Sequence, residues 1–216
     1  HGAMPQTTID PVVIAARIVL DIQTIVSRRI NPVKPAVVTV GAIHGGTKNN
    51  VIPDEVKMLL TIRFFEDEVF TTIKKALIDI TRGAAISAGL PESKMPLVVF
   101  DNSNNLPVYN NSDLVMAGVS SMKNILGESN VVLVEPATVA EDFGKYGRTE
   151  ENIPISLFWL GGINNQLYSD NKEKGTFIPP LHNSAFAPDF DNAFKTGVTA
   201  MTKTVIDLFG NKRTIK

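Results

Sequence analysis

The 216-residue sequence predicts an α/β protein in two parts, and two features of the residue pattern carry this prediction. Apolar residues at helical spacing alternate along the chain with short runs rich in β-branched residues, which is typical of mixed folds. In the first half the segments follow the order helix, strand, strand, helix, strand. In the second half two apolar runs lie between helical segments, which predicts part of a three-layer α/β unit.

The first segment is predicted to be an amphipathic helix. Asp10 is suited to cap its N-terminus, Pro11 occupies the first helical position, and the pair Arg28–Arg29 suits its C-terminal end. Its apolar face carries isoleucines at helical spacing: Ile14, Ile18, Ile22 and Ile25. The run PAVVTVGAI that follows predicts a strand, and GGTKNN predicts a turn or loop.

The next segment, VKMLLTIRFF, alternates between apolar and polar residues and predicts a strand with one buried face. Arg63 lies on its polar face. A helix from about Asp67 to Ala88 follows, ended by Gly89, and PLVVF predicts a further strand. One more strand before the first helix would complete a split βαββαβ sandwich. Because the chain also starts His1-Gly2-Ala3 rather than with methionine, we expect it to be cut from a longer parent protein.

The second half begins with a helix that Ser112 can cap and that runs to about Leu126, ended by Gly127. NVVLVEP and ISLFWLGG predict buried strands, and AEDFGKYG between them predicts a short helix or turn. Residues 163–188 form a polar segment too long for an idle connection. The last helix is predicted over roughly residues 190–209, with apolar residues at steps of four and three.

Composition excludes several classes of function. The formal net charge is −1, so no basic surplus indicates nucleic-acid binding. No apolar run approaches the ~18 residues needed to cross a bilayer. The sequence contains no cysteine, which excludes disulfides and thiolate metal sites within this chain.

Few residues carry obvious chemistry. His182, in the loop GTFIPPLHNSAFAP, is a candidate metal ligand or catalytic group, although a lone loop histidine is more often simply exposed. The adjacent acids Glu141 and Asp142 suit either a site near a metal or a helix N-terminus. Arg63 suits either a clamp for a substrate carboxylate or a solvated surface. On local grounds Asn50 is merely a loop residue.

Several segments, read together, resemble the dinuclear metal aminoacylase/carboxypeptidase family, an amidohydrolase family, and within it the branch of the hippurate and indole-acetyl-amino-acid hydrolases. HGAMP resembles the motif that opens the family's lid domain, and NVIPD with the strand arginine resembles that branch. VAEDF, FWLGG and LHNSAF resemble the C-terminal signatures of the family. The resemblance covers essentially the whole chain, with these segments in the family's order.

The resemblance implies a fold for each part of the chain. Residues 1–108 would be a ferredoxin-like βαββαβ lid and dimerisation domain that lacks its first strand. Residues 109–216 would be the C-terminal part of a three-layer, zinc-peptidase-like α/β catalytic domain. An N-terminal catalytic half, with the remaining metal ligands and the general base, would belong to the parent protein.

The resemblance also implies an activity: metal-dependent hydrolysis of the amide bond in N-acyl amino acids or small peptides. Two divalent metal ions (Zn, Mn, Ni or Co) would act in the intact protein, with His182 as the one ligand from this chain. His1 would be catalytic, supporting the oxyanion in the partner subunit's site of a homodimer, while Asn50, Arg63 and Glu141 would bind or orient substrate. We expect a cytoplasmic parent protein without membrane or nucleic-acid partners, and an isolated chain that is inactive. The alternative is a non-catalytic dimerisation or binding module.

Overall fold

The computed structural model describes residues 1–101, 106–139 and 141–210. The chain forms two compact units, one of His1–Pro107 with Pro136–Asp142 and the other of Val108–Glu135 with Phe143–Lys216. The described residues contain five α-helices and two strands: α1 Pro11–Thr24, β1 Ala36–His44, β2 Lys57–Phe64, α2 Asp67–Ser87, α3 Ser112–Leu126, α4 Asn165–Lys174 and α5 Phe190–Gly210. Shorter helical turns cover Pro5–Thr7, Ile25–Arg29, Glu92–Lys94, Glu128–Asn130 and Asp142–Arg148.

Helix α1 begins as the sequence predicts. The Asp10 carboxylate accepts a hydrogen bond from the Val12 amide at 2.8 Å, and Pro11 is the first helical residue. The α-helix ends at Thr24, earlier than predicted, and the chain continues as one turn of π-helix over Ile25–Arg29. The Thr24 hydroxyl donates to the Asp21 carbonyl, which competes with regular helical bonding at this point.

Strands β1 and β2 pair antiparallel, with Val37 opposite Arg63 and His44 opposite Lys57. As predicted, one face of β2 is apolar and packs on the helices, while Arg63 lies on the opposite, open face. The core of this unit joins the sheet to α1 and α2 and is centred on residues that are almost completely buried, namely Ile22, Ile25 and Ile73. Burial of this apolar face fixes the orientation of β2, and therefore the side on which Arg63 is presented.

Helix α2 ends in a glycine motif close to the predicted one. The capping residue is Ala88, and Gly89 follows it with a φ of 82°. The Gly89 amide donates to the Ile86 carbonyl at 2.9 Å, and the Leu90 amide donates to the Ala85 carbonyl at 3.0 Å. This double bonding pattern satisfies the last carbonyls of the helix, and it requires the left-handed backbone that glycine adopts without strain.

The predicted strands PLVVF, NVVLVEP and ISLFWLGG are wrong, since none of these described segments forms a strand. A strand exists only where a ladder of backbone hydrogen bonds joins it to a neighbour. Residues 96–100 keep the alternation of a strand, because Val98 and Phe100 pack on the core while Leu97 and Val99 are exposed. Residues 132–134, expected to be buried, are exposed.

In the second unit, α3 packs against α5, with Gly118, Ser121 and Ala200 buried in this unit. The cap of α3 is Asn111 rather than the predicted Ser112, because the Asn111 side chain accepts from the Leu114 amide at 3.0 Å. The polar segment 163–188 contains a helix, α4, that the residue pattern does not predict. Among the residues that the structure describes, no helix is long and apolar enough to cross a membrane.

Candidate functional site

The structure brings His1 close to Asn50. The Gly2 amide donates a hydrogen bond to the Asn50 carbonyl oxygen at 2.8 Å, which ties the first residues of the chain to the connection between β1 and β2. The Ala3 amide donates to Nδ1 of His1 at 3.1 Å. Since a neutral imidazole that accepts at Nδ1 carries its hydrogen on Nε2, this contact leaves Nε2 of His1 as a hydrogen-bond donor.

Gly2 favours this close approach. A Cβ atom at position 2 would lie 3.1 Å from the carbonyl carbon of Asn50, 3.2 Å from its oxygen and 3.3 Å from its Cα. These are backbone atoms, which cannot move aside as the end of a flexible side chain could. A larger residue would therefore shift the Asn50 backbone or the first residues of the chain by a few tenths of an ångström.

Arg63 is half-buried on the open face of the sheet, where its guanidinium donates to the carbonyl of Ile62 at 3.0 Å. No carboxylate lies within ion-pair distance of it in the described part of the chain. Arg63 is six residues along β2 from Lys57, where the connection carrying Asn50 enters the strand. At strand geometry this separation is roughly 20 Å, and no hydrogen bond joins Arg63 to His1 or Asn50 among the described residues.

His182 occupies a tight turn with a left-handed backbone. The Asn183 amide donates to the Pro180 carbonyl at 3.1 Å, and His182, the third residue of this turn, has a φ of 66°. Turns of this kind require a positive φ at their third position, where glycine or asparagine is usual. His182 is exposed and therefore accessible to a ligand.

The base of the segment that carries His182 contains a polar junction that the residue pattern does not predict. The Asn164 side chain caps α4 and donates from Nδ2 to the Asp189 carboxylate at 3.1 Å, and Asp189 also accepts from the Asn192 side chain at 2.8 Å. Hydrogen bonds hold the pKa of the Asp189 carboxyl below its usual value, and the bond from the Asn192 side chain is the largest cause. An Asn or Asp directly before a helix is a capping signal in the sequence. The hydrogen bond between Asn164 and Asp189 cannot be predicted from the sequence, because the two residues are 25 positions apart.

Glu141 lies directly before the helical turn Asp142–Arg148, and its carboxylate accepts from the Asp142 amide at 2.9 Å. This contact fits the helix-terminus alternative for the acidic pair. Within residues 1–101, 106–139 and 141–210, no three His, Cys, Asp or Glu side chains lie close enough together to hold a metal ion. The described residues therefore do not by themselves fit a two-metal centre.

Comparison with known families and curated proteins gives a consistent set of relatives. Residues 1–87 match the family described as a peptidase dimerisation domain. An N-acetyldiaminopimelate deacetylase of Limosilactobacillus fermentum is 32% identical over 205 residues, which are 95% of this chain and 48% of the relative. Thermostable carboxypeptidase 2 of Saccharolobus solfataricus is 35% identical over 218 residues, or 98% and 49% of the two chains. The chain thus spans about half the length of the curated relatives it matches.

Two solved structures share the fold. A putative aminohydrolase from methicillin-resistant Staphylococcus aureus superposes with a TM-score of 0.72 at 23% identity, covering 95% of this chain and 47% of that one. A Bacillus subtilis protein described as a dinuclear metal binding peptidase from the M20 family gives 0.60 at 22% identity, covering 93% and 46%. The mixed α/β fold predicted from the sequence is confirmed by these likenesses.

Proposed function

Because the chain belongs to the M20 family of amidohydrolases and peptidases, we propose that it is part of a metal-dependent enzyme that hydrolyses the amide bond of N-acyl amino acids or small peptides. The domains proposed for this role are a dimerisation domain over residues 1–108 and a segment of the catalytic domain over residues 109–216. The cytoplasmic location and the inactivity of the isolated chain stay predictions.

The observation that carries this proposal is the backbone of His182. A non-glycine residue at a positive φ costs of order 1–3 kcal/mol in the folded state, and such residues cluster at functional sites. Histidine has no advantage over glycine in this turn, except for the imidazole that it presents. A strained, exposed histidine in the segment LHNSAF is therefore best explained by a ligand for that imidazole.

We assign His182 as one ligand of a centre with two divalent metal ions (Zn, Mn, Ni or Co) in the intact protein. A bound divalent cation would supply Lewis acidity toward the amide carbonyl. Glu141 is proposed to orient substrate, in addition to its contact with the Asp142 amide. Since the described residues do not hold a metal alone, further donors would have to come from other residues.

His1 is proposed to stabilise the oxyanion that develops when the amide carbonyl is attacked. Its Nε2 is the ring nitrogen left to donate, and Gly2 holds it beside Asn50. Arg63 has no carboxylate partner in the described residues, so its guanidinium can receive the carboxylate of an amino-acid substrate. Asn50 is proposed to support substrate binding through its side-chain amide.

The distance along β2 between Arg63 and the connection that carries Asn50 has a consequence for this proposal. A small N-acyl amino acid does not span the roughly 20 Å between Arg63 and the Lys57 end of β2, so a substrate bound at Arg63 would not reach that end of the strand in the same subunit. A homodimer through the dimerisation domain removes the conflict, because each substrate can then receive residues from two subunits.

The test is an amidase assay of the parent protein with an N-acyl amino acid, before and after chelation and after addition of divalent metal. We expect about two metal ions per subunit and loss of hydrolysis on chelation. His182→Asn keeps a residue that tolerates the left-handed turn and should lower kcat at least about a hundredfold, while His44→Gln at the exposed end of β1 should not.

Hydrolysis that survives chelation and His182→Asn would refute the metal-dependent mechanism. A stable dimer with no hydrolysis and no bound metal would instead support the non-catalytic dimerisation module.

A further inference from the structure

The segment between Gly162 and Asp189 forms a ring closed by hydrogen bonds. Its two ends meet where the Asp189 amide donates to the Gly162 carbonyl at 2.7 Å. Pro188 approaches Gly162 so closely that a Cβ at position 162 would lie 3.2 Å from the Pro188 Cβ. The side chains of Asn164 and Asp189, 25 residues apart in sequence, bond across the same point.

Between the closed end of the ring and His182, the chain is restricted by helix α4 and by a hydrogen bond that follows the helix. Helix α4 is capped at its N-terminus by Asn164, whose Oδ1 accepts from the Gln166 amide at 2.9 Å, and at its C-terminus by Gly175. Beyond it the Asn171 side chain donates to the Thr176 carbonyl at 2.7 Å, which holds the outgoing chain against the helix. Only residues 177–188 remain between this contact and the junction.

The turn that carries His182 lies within this last stretch. The Asn183 amide bonds to the Pro180 carbonyl, and the Phe186 amide bonds to the Asn183 carbonyl at 3.0 Å. Proline residues precede this turn and follow it, which lowers the number of conformations open to the stretch. With both ends anchored, few backbone arrangements remain for the turn.

We propose that Asn164 and Asp189 are positioning residues: their hydrogen bond closes the ring and holds His182 in its strained turn. The role of His182 as a ligand rests on the function proposed above, while the mechanical coupling does not. Asp189 serves two helices at once, since it accepts from Asn192 in the first turn of α5 and from the residue that caps α4. Both bonds to Asp189 end on the same carboxylate oxygen, Oδ2, so a change at Asp189 affects them together, whereas Asn164 caps with Oδ1 and donates with Nδ2, and its two functions can be separated.

The direction of the hydrogen bond between Asn164 and Asp189 can be reversed by exchanging the two residue types. Asn164→Asp keeps a good capping residue for α4 but replaces the Nδ2 donor with an oxygen that repels Asp189. Asp189→Asn keeps one oxygen that can accept from the first turn of α5, but the Asn192 side-chain bond, which uses the same Oδ2 as Asn164, is lost when Nδ2 takes that position; the single Asp189→Asn variant measures this loss by itself. In the double variant Asn164→Asp/Asp189→Asn, the new amide at position 189 can donate to the new carboxylate at position 164, which restores the bond with the polarity reversed.

The readout is amide hydrogen exchange at Asn183 and Phe186 in the 216-residue chain, with exchange in α3 as a measure of global folding. Asn164→Asp should accelerate exchange at these two amides by about tenfold or more, and the double variant should return it toward the wild-type rate. Asn165→Asp adds the same charge one residue later, at a side chain that has no bond to Asp189 in the described residues, and should leave both amides unchanged.

Unchanged exchange in Asn164→Asp, or no recovery in the double variant, would overturn the proposal and reduce both residues to helix caps. In the parent enzyme, Asn164→Asp should lower kcat more than it changes KM, with recovery in the double variant. If the exchange results hold while His182→Asn leaves hydrolysis intact, the proposed function fails and the positioning role stands. If His182→Asn abolishes hydrolysis but Asn164→Asp leaves amide exchange unchanged, the proposed function stands and the positioning role fails.

Discussion

Lys203 and Asp207 form a two-point ion pair one turn apart on α5, with Nζ of Lys203 at 2.5 Å and 2.7 Å from the two carboxylate oxygens. Both side chains are about one-third exposed or less. Hydrogen bonds from Lys203 and then from Ser121, a buried residue of α3, hold the pKa of Asp207 below its usual value. The carboxylate therefore links the two packed helices of the second unit.

This link should make stability depend on pH. Because the pKa of Asp207 is lower in the folded state than the usual 3.8, its contribution is present above that pH and is lost as pH falls through the lowered value. We expect the difference in unfolding free energy between wild type and Asp207→Asn to shrink between about pH 5 and about pH 2. Urea titrations across this range measure it, and a difference independent of pH would contradict the prediction.

Two glycines, Gly83 within α2 and Gly89 just after its end, should respond in opposite ways to alanine. A Cβ at Gly83 meets nothing within 4 Å, so Gly83→Ala should stabilise the chain by about 0.5–1 kcal/mol through helix propensity. Gly89 has a φ of 82° in the motif that ends the helix, so Gly89→Ala should destabilise it by about 1 kcal/mol. Chemical unfolding measures the change in unfolding free energy for both variants. A change of the same sign in both would show that the helix end is not as described.

The core of the first unit should be sensitive to shortened side chains. Ile73 of α2 is completely buried, so Ile73→Ala should lower the unfolding free energy by about 2–5 kcal/mol through lost burial and the cavity left behind. Val33, which is 81% exposed, provides the control, and Val33→Ala should change the unfolding free energy by less than about 0.5 kcal/mol. Comparable losses at both positions would indicate that α2 is not packed as the structure describes.

Stability and function should oppose each other at His182. His182→Gly removes the strain of a positive φ and should raise the unfolding free energy by about 1 kcal/mol, while it removes the proposed metal ligand. His182→Ala keeps the strain and should not stabilise. Thermal unfolding of the chain, compared with the hydrolysis measured for the parent, separates the effects. A destabilised glycine variant would mean that the imidazole makes folded-state contacts of its own.

The helices of the first unit were predictable because their signals are local. The signals at Asp10, Pro11 and Gly89 depend only on neighbouring residues. The isoleucines at helical spacing mark the buried face of α1. The failed strands depended on partners elsewhere: PLVVF has the alternation of a strand, yet a ladder requires a second segment.

The same distinction applies to the candidate site. His182 could be singled out from its setting, whereas the contact between Gly2 and Asn50 joins residues 48 positions apart through backbone atoms, which carry no sequence signature. The bond between Asn164 and Asp189 likewise depends on two helix ends that meet only in the fold. Helix α4 was missed because few of its residues are apolar, so no burial pattern marks it.

The register of β1 also shows where the length of this strand can change. Val40 lies opposite Leu60 and Ala42 opposite Leu59, so Gly41 is one residue more than the partner strand has. This extra residue reverses the alternation, and it puts His44 on the open side with Lys57. Replacing Gly41 is sterically mild, since a Cβ there meets only the Leu59 oxygen at 3.8 Å. Deleting it would restore regular pairing with the same partners, and His44 would stay opposite Lys57 on the open side, so homologous chains can differ here both in residue type and by this one residue.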